Sequence, residues 1–289
     1  MVPARRRVET KRPVIMADPY IFDQLLGIAN AALSSPLFIA IVSTAIAAFA
    51  GTWGAQLLAE RTARRKEILA EIRGVNAALS FAFNIANTYI ATKKQLTKEL
   101  VAGYKQQRAD REAHDMRVNA LVIPANTTFT YQLVLQTILP PYSPIAELQK
   151  ILLDRINPSG RALLLLTPLM QSIEGFADAA AQRNAWIDEV KKMPENNDAM
   201  KACLYFGTPF APGRVDDRYP NLMDAIERYN DSCIGFSVQL VNVLREHGEK
   251  MAAEYGKDAP KISKPDFKMA GDLIPDLKEY ARWVEEPKA

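Results

Sequence analysis

Cys203, Cys233, His114 and His247 are the only cysteines and histidines in the sequence. A zinc site built from such donors uses four of them at short, recurring spacings, and these four are scattered, so no metal is expected. Two carboxylate groupings could in principle do acid–base work: Asp216-Asp217-Arg218, and Glu246 with Glu249 around His247. The same residue types also cap helices and coat solvated faces, which is the plainer reading of both groups. Cys233 and His247 fall on an apolar stripe and read as core residues. The loop Gly207-Thr208-Pro209-Phe210-Ala211-Pro212-Gly213-Arg214 lacks the Gly-Lys-Ser/Thr ending of a phosphate cradle and reads as a stiff connection. No Gly-x-Ser-x-Gly elbow, His-Glu-x-x-His helix or dinucleotide-binding glycine pattern occurs. No catalytic residue and no cofactor are therefore assigned, and the chain leans away from enzymes.

What remains is an architecture able to hold something at a surface. Pro36 to Ala59 is uncharged and largely apolar, from Leu37-Phe38-Ile39 through Trp53 to Leu57-Leu58. At about 1.5 Å per residue such a helix reaches roughly 35 Å, more than a hydrocarbon core of about 30 Å. It is read as a single transmembrane helix; Ser43, Thr44, Thr52 and Gln56 argue for the rival, a buried Ala-rich helix of a globular protein. Small residues recur every fourth position at Ser43, Ala47, Gly51 and Ala55, and again at Ala40, Thr44, Ala48 and Thr52, so the helix is expected to self-associate. Arg61, Arg64, Arg65 and Lys66 crowd its C-terminal end, which directs the larger part of the chain to the cytoplasmic side of the plasma membrane. Arg5, Arg6, Arg7, Lys11 and Arg12 lie on the other flank and pull the opposite way if Met1 rather than Met16 is the start. Ala48-Phe49-Ala50 resembles a signal-peptidase site, but apolar residues continue past it and retention is expected.

The expected organisation is a disordered basic tail (1–17), an amphipathic interfacial helix (18–35), the transmembrane helix (36–59), a soluble helical domain (60–256) and a proline-containing extension with a short helix (257–289). In the soluble part Ile68, Ile72, Val75, Leu79, Ala82, Ala86, Tyr89, Lys93, Leu96 and Leu100 alternate by fours and threes, a coiled-coil-like seam with bends expected at Gly74 and Gly103. Lys93, Lys94, Lys98, Lys105, Arg108, Arg111 and Arg117, interleaved with Glu99, Asp110, Glu112 and Asp115, read as a solvated face. Prolines 124, 140, 141 and 144 break the next stretch, leaving Thr127–Leu139 as a helical or extended piece. A helix is predicted over Ser159–Lys192, kinked at Pro168, with Leu163, Leu166, Met170, Ile173, Ala177, Ala180 and Ile187 inward; another runs from Pro220 to Tyr255.

The fold class is thus all-α: one transmembrane helix continuing into an up-and-down cytoplasmic bundle of about three long antiparallel helices with short accessory ones. Hydrophobic residues at 48% and charged residues at 24% exclude wholesale disorder, and a net charge of +3 is too small for a nucleic-acid footprint. The expected role is an interaction or assembly module at the cytoplasmic face, with the lipid bilayer, a second copy and a protein as expected partners. A membrane effector or sensor whose oligomeric helix switches state is the alternative, and an enzyme with an unrecognised carboxylate site the third.

Overall fold

The computed structural model describes residues 36–283 apart from 125, 158 and 159. The expected basic tail, the interfacial helix and residues 284–289 lie outside them. The protein is all-helical, and among the described residues no strand forms beyond an isolated bridge between Ala211 and Arg214. Its elements are α1 (Pro36–Thr92), a π-helical turn (Lys93–Thr97), α2 (Lys98–Asn119), α3 (Ile145–Asp154), α4 (Gly160–Lys191), α5 (Asp198–Phe206), α6 (Arg218–Tyr255), a 3₁₀ turn (Lys268–Leu273) and α7 (Leu277–Ala281). Contacts divide the chain into two units, Met1–Arg64 and Arg65–Ala289.

In the first unit, α1 starts at Pro36, where a ring-fixed φ and a missing N–H suit the first helical position. Ser43 and Thr44 both donate their hydroxyls to the Ala40 carbonyl, at 3.1 and 2.7 Å, and Thr52 donates to Ala48 at 2.9 Å. The polar residues that argued against an apolar span are thereby satisfied within their own helix.

In the second unit the seam on α1 is buried as the period predicts, from Ile68 to Tyr89. Gly74 does not bend the helix: a Cβ there would stand 3.1 Å from the Arg155 carbonyl oxygen, so glycine admits a crossing chain. Gly103 likewise sits inside continuous helix. The irregularity comes instead at Lys93–Thr97, where the charged Lys93 interrupts the seam.

Helix α6 is the shared neighbour. Its His247 meets Glu71 of α1 at 2.8 Å, and its Asn230 amide donates to the Tyr89 carbonyl at 3.4 Å. Against α4, the ring of Tyr219 lies 4.2 Å from Trp186, and Glu246 pairs with Arg161 at 3.3 Å. In both pairings numbers rise on one helix as they fall on the other, so α6 is antiparallel to both. Helices α1 and α4 therefore run the same way, and the expected alternation of directions fails between them, because the chain after α2 travels back along the unit, with Gln132 at Gln107, Ser143 at Tyr89 and Asn157 at Glu71.

The buried line of α4 also differs from expectation. Leu163 is exposed, and the inward residues are Ala162, Leu165, Leu169, Ser172, Phe176, Ala179, Arg183, Trp186 and Val190 alongside Leu166, Ala180 and Ile187. Ser172 and Arg183 lie on that line, and apolar periodicity alone rotates away from them. Pro168 is accommodated within the helix, and its carbonyl accepts the Ser172 hydroxyl at 2.7 Å.

Arg183, fully buried, serves the backbone of the piece after Pro124, which is not helical. Its guanidinium donates to the carbonyls of Gln136 (2.7 Å) and Val134 (3.0 Å), and to the Tyr219 hydroxyl at 3.3 Å. Asn184 accepts from the Ile138 N–H at 2.9 Å and donates to its carbonyl at 2.8 Å, while Gln107 accepts from the Gln132 N–H at 2.8 Å. Side chains supply what a neighbouring strand would otherwise provide. Arg183→Met strands two carbonyls and is expected to destabilise the second unit by about 3 kcal/mol. Arg183→Lys recovers only part of this, since one ammonium cannot span both carbonyls as a planar fork does. A fall in the urea midpoint read by circular dichroism checks both; an unchanged midpoint for Arg183→Met would refute the role.

Candidate functional site

Along α1 the environment of the apolar side chains reverses. Phe49, Trp53 and Leu58 are 75%, 62% and 67% exposed, whereas Ile72, Val75 and Leu79 are fully buried. Among the described residues one helix, over Ala47–Asn119, is long and apolar enough to cross a membrane, judged by length and composition alone. The proposed oligomer face, Ser43, Ala47, Gly51 and Ala55, is exposed, and a Cβ at Gly51 would meet nothing within 4 Å. The basic flank Arg61, Arg64, Arg65 and Lys66 lies within α1 directly after this stretch and is exposed, with the Arg65 guanidinium 4.9 Å from the centre of the Tyr255 ring. A greasy exposed run ending in cations matches the order of hydrocarbon and headgroup.

The groups that could do chemistry are drawn apart. His247 faces Glu71, which also accepts the Asn157 N–H at 3.0 Å; Glu246 pairs with Arg161, and Glu249 with Lys264 at 3.4 Å. Three neighbours in sequence thus serve three different contacts. Cys233 is buried, and desolvation pushes its thiol far above the ordinary range, which makes it a core residue rather than a nucleophile. Cys203 lies with its sulfur 3.6 Å from the Pro209 carbonyl. His114 sits beside Asp115 and against Phe129. Among the described residues no three His, Cys, Asp or Glu side chains gather to hold a metal ion.

Of the grooves among the described residues, two that border the candidate residues went unseen in the sequence. One, of about 620 Å³, lies between α4 and α6, where Tyr229 packs flat on Gly175 and Arg218 bridges Glu189 and Asp216. A Cβ at Gly175 would come within 2.6 Å of the Tyr229 ring, so the floor of this groove depends on glycine. The other, of about 300 Å³, opens at the π-helical turn. There Lys93 pairs with Asp231 at 2.6 Å, Lys105 with Glu227 at 2.5 Å, both acids on α6, and Lys98 with Asp272 at 2.5 Å. The solvated-face reading of the basic half holds for Arg108–Glu112 and Arg111–Asp115, which are i,i+4 pairs within α2. For the three lysines it gives way to pairing across elements, which no local spacing encodes.

Asp216 and Asp217 precede α6 as the capping interpretation expects, but the bonds are specific to Asp216. It accepts the Arg218 backbone N–H at 3.0 Å and the Arg218 guanidinium. Burial alone would raise its carboxyl; the hydrogen bonds and charge of Arg218 outweigh that and hold it below the usual carboxylate range. No family model, curated protein or solved structure matches the chain.

Because the folded value is lowered, Asp216 contributes stability that is present above the ordinary carboxylate range and lost as pH falls through the depressed value. Asp216→Asn is expected to lower Tm at neutral pH and to flatten the dependence of Tm on pH below about pH 4. A variant that loses Tm equally at every pH would show the carboxylate charge to be irrelevant.

Proposed function

We propose that the protein is a single-pass, membrane-anchored helical bundle whose larger unit acts as an interaction or assembly module on the cytoplasmic face of the plasma membrane. The carrying observation is the reversal along α1 from exposed to buried apolar side chains, with cations between. Water strongly disfavours a contiguous exposed patch containing Phe49, Trp53, Leu57 and Leu58, whereas lipid accepts it. The hydroxyls of Ser43, Thr44 and Thr52, already bonded to their own helix, remove most of the cost of placing them in hydrocarbon. The flank of Arg61, Arg64, Arg65 and Lys66 gives the sidedness. Grooves, rather than a convergent set of catalytic groups, are what the second unit offers a partner.

A second reading, a switching effector or sensor, draws on the open glycine face. Gly51 has no neighbour within 4 Å, so a second α1 could approach closely there.

In cell fractionation the full chain is expected in the membrane pellet after alkaline wash, and Trp53→Lys with Leu57→Lys is expected to release it to the supernatant. Recovery of the folded wild-type chain in the soluble fraction without detergent would end the anchor reading. Gly51→Leu should weaken crosslinking between copies in membranes while leaving fractionation unchanged, and it separates the two readings: loss of a signalling output with tethering intact favours the switch.

A further inference from the structure

Beyond Gly256, whose φ of 102° ends α6, residues 257–283 run as a strap along α1 and α6 that is irregular as far as Phe267 and then holds the 3₁₀ turn and α7. The backbone hydrogen bonds the strap makes with itself are local turns, such as Ala270 N to Phe267 O and Ile274 N to Gly271 O. Its backbone is tied to the helices by side chains. Asn76 donates to the Lys261 carbonyl at 3.1 Å and accepts the Ser263 N–H at 2.8 Å, and Gln239 donates to the Leu277 carbonyl at 3.1 Å.

An amide bonded to residues i and i+2 of an extended chain grips the backbone whatever the side chains there. Selectivity comes from what lies between and beyond. Ile262, between the gripped residues, fills a hollow at Gly248, where a Cβ would stand 3.1 Å from its methyl. Phe267 tilts onto Phe83 at 5.1 Å. Tyr280 lies over Gly235, where a Cβ would come within 2.5 Å of the ring, and meets Phe236 edge-on at 5.0 Å. Backbone grips with spaced hollows are how folded proteins hold extended peptides.

The strap is also separable. Of its described residues Leu273 and Tyr280 alone are buried, it continues from α6 through Gly256, and its Lys98–Asp272 ion pair is exposed. Segments with few buried contacts open at lower free energy than the helices they lie on.

We infer that the α1–α6 groove is a receptor for a peptide that binds first through a non-helical stretch and then through a short helical turn, closed in cis by the chain's own strap, and that its ligand in trans is the strap of a second copy. The fit on view is to this sequence, and exchange of an identical element between copies requires no new complementarity. The inference does not depend on the membrane anchor.

The test uses full-length chains and a fluorescent peptide of residues 257–283. Ile262→Asp unseats the strap and leaves the groove intact; Tyr280→Ala does so from the far end and stands in should the first variant not fold. Either variant is expected to bind the peptide about tenfold or more tightly than the wild type, whose own strap holds most grooves closed. Adding Asn76→Ala should remove that gain. Mixing the Asn76→Ala and Ile262→Asp chains should give mixed pairs in sedimentation, since one supplies a strap and the other a groove. A folded variant that ignores the peptide, or a wild type that binds it equally well, would overturn the receptor; peptide binding without mixed pairs would overturn the second copy as its source.

Discussion

A backbone amide taken from water must find a partner, and in this protein long stretches of non-helical chain lie against helices with no sheet to serve them. The side chains of Arg183, Asn184 and Gln107 meet that demand for residues 132–138, and those of Asn76 and Gln239 meet it for residues 261–277. The requirement explains features that would otherwise look like faults. A fully buried arginine sits on the inward line of α4 because it points at carbonyls that have no other donor. Gly235 and Gly248 sit within α6, at a cost in helix propensity, because a Cβ would meet the Tyr280 ring at the first and Val75 of α1 and Ile262 at the second.

The legible parts of the fold were those set by local rules. Pro36 and Gly256 bound their helices, and the four-three alternation on α1 and α6 marks buried faces, because sterics and periodicity act over a few residues. The inward face of α4 was misplaced because the residues that matter there, Ser172 and Arg183, are polar, and their burial depends on segments far away in sequence. The lysines of the π-turn show the same gap. Their types were evident, but their partners, Asp231, Glu227 and Asp272, come from two later elements. His247 was correctly placed on a largely inward stripe, whereas its bond to Glu71 depends on how α6 lies against α1.

Tyrosines concentrate at one end of the second unit. The rings of Tyr104, Tyr205 and Tyr219 lie within 4.7–5.4 Å of one another, with Trp186 against Tyr219. Burial pushes the phenols of Tyr104 and Tyr205 far above their ordinary range, so these side chains are neutral packing elements at any physiological pH. Tyr104 donates to the Tyr205 carbonyl at 3.3 Å, which ties α2 to α5 through a hydroxyl rather than through aliphatic contact alone. Aromatic rings with polar tips suit such a junction because they fill volume and still bond to backbone.

The wide turn at Lys93–Thr97 carries a consequence for the phase of everything after it. A π-turn holds one residue more than an α-turn, so Leu100, Val101 and Tyr104 point where residues one position earlier would point on an unbroken helix. Removing a single residue from the turn would restore regular winding and leave these side chains pointing where they now point, whereas winding the same residues as regular α-helix would swing the rest of α2 by about 100° about its axis. The side of α2 that meets α6 therefore depends on this turn staying wide for as long as it holds the extra residue.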